Sequence, residues 1–257
     1  MRIVGINMQG SNVGTGQSKY VGVIQQFFRN KVVQADIVCA QEAGPQPPVG
    51  GSFTAIPVAN YPPWLAGVAP LAGTVYLGSW LLDGTSPMVI KVFWLQTDPG
   101  ANRNNLCILI KDDIPVSNLI RVLPAVGPLF AGSRGAIGFQ ITSGGVTRQV
   151  YTVHGLSGMG ATNDAHALTT AIAATAALAV PAGGVAPTWA IVGDFNRHPT
   201  TQWPVPPPGV ICPPDRATLP SHGSLLDYAI RSAGPAVLGV VQRGGSVSDH
   251  QYVIYDI

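Results

Sequence analysis

The chain has 257 residues, of which 46% are hydrophobic and 10% charged, and its formal net charge is +2. So large an apolar share, with charge far below the usual fraction of about 25%, excludes a disordered chain. The small net charge makes bulk positive charge a weak basis for nucleic-acid binding, and three cysteines, Cys39, Cys107 and Cys212, exclude a disulfide framework.

In chain order, residues 2–7 are an apolar run that reads as a strand ending at Asn7. The run begins almost at Met1, with no basic segment and long apolar stretch before it, so no signal peptide is visible. Residues 18–34 carry Tyr20, Val23, Ile24, Phe27, Phe28 and Val32 at helical spacing. Residues 36–41 form a strand running into Gln41-Glu42, with Cys39 as a buried small hydrophobe. Strands are expected at 74–82, 88–95, 105–110 (with Cys107 buried), 136–142 and 147–153, the last running into His154. An Ala-rich helix is expected over 164–180, capped by Asn163 or Asp164. Residues 188–193 lead into Asp194-Phe195-Asn196, and further strands are expected at 225–230, 237–241 and 251–257. The Pro-rich patches Pro45–Pro48, Pro57–Pro70 and Pro204–Pro214 read as surface loops. Cys212, in the last of them, is expected to be exposed, and an exposed free thiol is a candidate tether for a partner chain. The longest apolar stretch, Ala171–Val180, is too short to span a bilayer, so no integral membrane segment is expected. Many strands with two long helices predict an α/β fold of two packed sheets with helices outside. No linker divides residues 1–257, so one domain is expected.

Polar residues follow apolar strands repeatedly: Asn7, Gln41-Glu42, His154 and Asp194-Phe195-Asn196, while Ser248-Asp249-His250 precedes the last strand. Strand ends are where loops converge into a crevice, and several such ends in one chain point to a shared site. Asp194 and Asn196, two apart on an extended segment, would face one point with a carboxylate and an amide, although the segment alone reads more readily as a turn. His250 is a candidate general base. Neighbouring side chains on a strand diverge, so Asp227 from another strand is a better partner for it than Asp249. Glu42, the single Glu among 12 acidic residues, ends a buried strand and needs a cation or a basic partner. His154 could donate to a phosphoryl oxygen or lie satisfied at a sheet edge. Nucleotide-binding, zinc, thiol-nucleophile and serine-elbow patterns are absent.

Taken in order, Asn7-Met-Gln-Gly10, Gln41-Glu-Ala-Gly44, Arg103-Asn-Asn-Leu106, Arg134-Gly-Ala-Ile-Gly138, Thr152-Val-His-Gly155, Asn163-Asp-Ala165, Gly193-Asp-Phe-Asn-Arg197, Leu226-Asp-Tyr-Ala229 and Ser248-Asp-His250 resemble the DNase I-like endonuclease/exonuclease/phosphatase superfamily. Within it they are most similar to the catalytic subunits of cytolethal distending toxins. The resemblance implies a four-layer α/β/β/α sandwich of two mixed sheets with the site at one rim. It also implies hydrolysis of a phosphodiester with Mg²⁺, or another divalent cation such as Mn²⁺ or Ca²⁺.

It further implies that Glu42 binds the metal with Asn7 near it, and that Asp249 supports the metal or a histidine. Asp194 and Asn196 would position water or phosphate, His154 and His250 would be the histidine pair, Asp227 would orient one of them, and Arg103 and Arg134 would hold substrate phosphate. Implied partners are DNA, or else phosphoinositide headgroups, together with toxin delivery subunits. The implied location is secreted, acting in the nucleus of a target cell. A non-catalytic phosphate-binding module and a repair nuclease are the competing readings. Two departures stand out. Gly155 occupies a position where the family often has Ala, and the acidic partner of His154 is unassigned, with Asp83 and Asp98 as weak candidates.

Overall fold

The computed structural model describes residues 1–10, 13–56, 74–84, 86–97, 104–122, 134–157, 164–179, 184–203, 205–242 and 248–257. Its strands are β1 (Arg2–Asn7), β2 (Ile37–Gln41), β3 (Gly51–Ile56), β4 (Val75–Leu82), β5 (Met88–Leu95), β6 (Leu106–Lys111), β7 (Val116–Val122), β8 (Ala136–Ser143), β9 (Val146–Val153), β10 (Thr188–Asp194), β11 (Val210–Cys212), β12 (Asp227–Arg231), β13 (Val240–Gln242) and β14 (Tyr252–Asp256). Its helices are α1 (Val13–Lys19), which runs through a π-helical turn at Tyr20–Ile24 into α2 (Gln25–Arg29), and α3 (Ala165–Leu178). One sheet has the order β13-β14-β1-β2-β6-β5-β4-β3 and the other β11-β12-β10-β9-β8-β7.

Alternation along each strand builds the layers. On β1 and β2, Ile3, Ile37 and Cys39 face the second sheet and pack with Val150, Val192, Ile137 and Phe139. Val4, Ile6, Val38 and Ala40 face the opposite way and pack under Tyr20, Ile24, Phe27 and Phe28 of the first helical layer. On the second sheet, Tyr151, Val153 and Ile191 face outward onto Leu168 and Ile172 of α3. Each such side chain contributes about 1.5–3 kcal/mol when fully buried. The result is the expected α/β/β/α sandwich of two mixed sheets.

Several details differ from the sequence expectation. The first helix ends at Arg29 rather than 34, because Asn30 turns extended at ψ 126° and its Oδ1 accepts the Val32 N–H at 2.7 Å. That local bond competes with the helix and leaves Val32 74% exposed. Asp164 sits at the N-cap of α3, but its side chain makes no cap bond; Oδ1 instead accepts from Leu156 N at 2.8 Å. Asn163 and the patch 57–70 lie outside the described residues. β11 emerges inside the Pro-rich segment 204–214 and pairs with β12. That pairing buries Cys212 completely, with its sulfur accepting from Val237 N at 3.4 Å, so Cys212 is not an exposed tether.

The pairing also fixes which chain ends meet. Asn7 lies opposite Gln41 at the ends of parallel β1 and β2, and His154 bridges Asp194 at the ends of parallel β9 and β10. Antiparallel β12 begins beside Asp194, with Asp227 opposite it. Antiparallel β14 begins at the same rim, just after His250. Gly193 is required there, because a Cβ would lie 2.3 Å from Val153 O and 3.0 Å from Val153 N. Backbone cannot rotate out of the way, so Gly193→Ala is expected to cost about 1–3 kcal/mol, read as a lowered urea midpoint.

Candidate active site

Asn7, His154, Asp194 and Asp227 are almost wholly buried, and Glu42 and His250 are each only 8% exposed. Asn7 joins the two sheets: its Nδ2 donates to Asp194 Oδ2 at 3.0 Å and to Glu42 Oε1 at 3.3 Å. Two carboxylates thus converge on one amide. His154 Nε2 sits 3.8 Å from Asp194 Oδ2 and 4.0 Å from Glu42 Oε1. His250 Nδ1 lies 2.8 Å from Asp227 Oδ2 and 4.0 Å from Asp194 Oδ2. With Asp227 accepting from Nδ1–H, Nε2 of His250 is left to exchange a proton with a ligand. Asp249 is half exposed, its Oδ1 3.7 Å from His250 Nε2.

The backbone is bent to make this arrangement. Gln9, Glu42 and Asn196 have φ of 47°, 47° and 49°, a left-handed conformation that non-glycine residues rarely adopt and that collects at functional sites. Asn196 is therefore not on an extended segment with Asp194. It closes a turn in which its N–H donates to Asp194 Oδ1 at 2.8 Å and its Nδ2 donates to Gly155 O at 2.9 Å. Gly155 passes so close to Phe195 that a Cβ would lie 2.6 Å from Phe195 O, which accounts for glycine after His154. Arg134 Nη1 donates to His154 O at 3.4 Å and Gly155 O at 3.3 Å, so its guanidinium stands beside the histidine. Asp83 lies at the opposite end of β4 from the rim, where its carbonyl accepts from Arg29, and it is no partner for His154. Arg103 and Asp98 lie outside the described residues.

Burial and charge set the protonation of the site. Burial first, then Asp227, raises Asp194 from 3.8 to about 7, against the opposing pull of His250, Asn7 and the Asn196 N–H. For His250, burial works against the charged form, but the charge and hydrogen bond of Asp227, with Asp194 and Asp249, prevail and lift it from 6.5 to about 9. The pair holds a proton because two carboxylates face one imidazole.

Three polar side chains that tie the segments of this rim together were not singled out from the sequence. Thr218 Oγ1 accepts from Leu226 N at 3.0 Å and Asp227 N at 3.1 Å, and Thr218 O accepts from Gln251 N at 2.8 Å, which ties the Asp227 and His250 segments together. Gln9 Oε1 accepts from Asp249 N at 3.1 Å. Lys19 is 5% exposed, and its ammonium donates to the carbonyls of Met8 and Gln9. Burial lowers its pKa, against Glu42 and Asp249, which raise it. Gln9 falls inside the segment Asn7-Met-Gln-Gly10, whereas nothing in the sequence separates Lys19 from a solvated helix lysine.

The endonuclease/exonuclease/phosphatase family model matches residues 7–250, from Asn7 through His250. The chain belongs to this family. As an endonuclease/exonuclease/phosphatase protein it is a hydrolase of phosphate esters, in a family generally dependent on divalent metal. No curated protein matches it significantly by sequence. Among solved structures it is similar to a chain of the cytolethal distending toxin of Actinobacillus actinomycetemcomitans, with 25% identity, coverage of 98% of this chain and 96% of that one, and a TM-score of 0.74. The values for a chain of the Haemophilus ducreyi toxin are the same. CdtB, the biologically active subunit of cytolethal distending toxin, matches at 25% identity over 98% of this chain and 96% of that one, with a TM-score of 0.75. Among the described residues, no helix is long and apolar enough to cross a membrane.

Proposed function

We propose that this endonuclease/exonuclease/phosphatase protein is a Mg²⁺-dependent phosphodiesterase that nicks DNA as the catalytic subunit of a cytolethal distending-type toxin. The observation that carries the proposal is the meeting of Asn7, Glu42, His154, Asp194, Asp227 and His250 at one sandwich rim. Residues 1–257 form one catalytic domain on this reading, because the site draws on both ends of the chain.

The donors suit a hard divalent cation. Glu42 and Asp194 present carboxylate oxygens that share one amide donor, and Asp227 Oδ1 is buried with no hydrogen-bond partner among the described residues. Oxygen-rich, acidic surroundings of this kind favour Mg²⁺ over softer metals. Glu42, with Asn7 and Asp194 at hand and Asp249 at the edge, would hold it. When bound, the cation supplies charge to offset the developing negative charge on phosphoryl oxygens.

The protein groups divide the remaining work. A water oxygen attacks phosphorus in line, its proton passes to Nε2 of His250, and the P–O bond to the leaving oxygen breaks. Asp227 fixes the ring and stabilises the imidazolium that forms. His154, with Asn196 close by, donates to phosphoryl oxygens, and Arg134 binds a neighbouring phosphate through its planar fork. The similarity to a toxin's active subunit favours a secreted protein delivered by companion subunits to target-cell DNA.

Incubation of supercoiled plasmid with the protein and Mg²⁺ is expected to give nicked circles, and a chelator is expected to abolish them. Release of inorganic phosphate from phosphoinositide vesicles, with plasmid left intact, would contradict the DNA assignment.

A further inference from the structure

We infer that Lys19 is a positioning residue that acts through Gln9 to hold the Ser248–His250 segment in its working register. Lys19 ends α1 and is buried, yet it approaches no carboxylate closely enough to form an ion pair among the described residues. Its donors go instead to two consecutive main-chain carbonyls, Met8 O and Gln9 O. These belong to the turn after β1, where Gln9 is held at φ 47°. Such a conformation persists only where its surroundings over-determine it, and the ammonium bridging both carbonyls is one such restraint. A second is the Gln9 N–H, which donates to Asn7 Oδ1 at 3.0 Å.

The strained turn aims the Gln9 side chain across to the loop before β14. Its Oε1 takes the Asp249 N–H at 3.1 Å and lies 3.5 Å from the Ser248 hydroxyl. That hydroxyl donates to Asn7 O at 2.9 Å and accepts the His250 N–H at 3.1 Å. A continuous chain of polar contacts therefore runs from Lys19 through Gln9 and Ser248 to the backbone of His250. Burying an ammonium is costly. The ammonium's bonds to the two turn carbonyls offset that cost and at the same time fix the turn.

The inference rests on the phosphodiesterase reading and on His250 as its base. Its test compares wild type, Lys19→Met, Lys19→Arg, Gln9→Ala, Lys19→Met/Gln9→Ala and His250→Ala on bis(4-nitrophenyl) phosphate with Mg²⁺. Lys19→Met and Gln9→Ala are each expected to lower kcat about 10–100-fold, the range seen for groups that orient catalytic residues, with KM changed little. Lys19→Arg, which keeps the donors, is expected to recover part of the loss. The double variant is expected to fall no lower than the worse single one, because both act on one linkage. Wild-type kcat in Lys19→Met, or losses that multiply in the double variant, would overturn the inference. If circular dichroism shows Lys19→Met unfolded, Gln9→Ala decides alone, and wild-type kcat there overturns it. An active His250→Ala, or an inactive wild type, would instead remove the underlying reading.

Discussion

His250→Ala is expected to lower kcat on a phosphodiester about 10²–10⁴-fold, the usual contribution of a positioned general base. Asp227→Asn should lose a large part of the same factor while preserving side-chain shape. It keeps a partner 2.8 Å from Nδ1 but removes the charge that stabilises the imidazolium. Its remaining activity should shift toward lower pH, because loss of the carboxylate lets the His250 pKa fall. His154→Ala should also remove nearly all turnover, since loss of one preorganised donor commonly costs about 10²–10³-fold. Steady-state kinetics with far-UV dichroism as a folding control would check all three. Near-normal turnover in both histidine variants would refute the assignment of roles.

The second large effect is the linkage between metal, pH and stability. In the metal-free protein Asp194 is raised from 3.8 to about 7 and His250 from 6.5 to about 9. A group whose pKa is higher folded than unfolded binds its proton more tightly in the folded state. Its stabilisation is complete below the unfolded value and is lost as pH rises through the folded one. Metal-free protein should therefore weaken from about pH 4 to 7 through Asp194, and further from about pH 6.5 to 9 through His250. A divalent cation offers the ionised carboxylates another positive neighbour and releases the protons, so it binds better as pH rises. Mg²⁺ at a hundred times its pH 8 Kd should then raise Tm at pH 8 by about 5–10 °C, and the same concentration should raise it much less at pH 5. Calorimetry in Mg²⁺ and in chelator across this range would test it. A Tm difference that stays constant or shrinks with pH would contradict this linkage. Glu42, Asn7 and Asp194 would hold the cation, and its charge there would favour the neutral form of His250 that a general base requires.

The sandwich was legible where strands are apolar and uninterrupted. β1, β2, β6 and β10 are buried on both faces over nearly their whole length, so each reads as a short apolar run whatever its neighbours. β3, β7 and β11 were missed. β3 is an edge strand with half-exposed positions, β7 carries Ser117 and Asn118 at a register shift, and β11 is three residues set among prolines. Pairing with β12 turns that last segment inward, and a composition rule has no access to pairing. It was this pairing that buried Cys212.

The site divides in the same way. Asp227 is the nearer carboxylate to His250, at 2.8 Å against 3.7 Å for Asp249, as the sequence expects, although His250 lies in a bend before β14 and not on an extended segment. The turn at Asn196 was legible as the alternative reading of Asp194-Phe195-Asn196, since Asp and Asn favour turns and Asn tolerates a left-handed φ. Gln9 and Glu42 are hidden, because tertiary contacts impose their φ against local preference. Lys19 is invisible for another reason, since a lysine at a helix end is ordinarily solvated, and only the packed turn after β1 exposes its role.

Residues far apart in sequence are expected to surround one cation at this rim. Anomalous diffraction from crystals of the protein grown with Mn²⁺ tests it directly. A peak bonded to a Glu42 oxygen, in the space shared with Asn7 and Asp194, is the expected result. No peak at the rim, with Mn²⁺ bound at another face of the molecule, would contradict it.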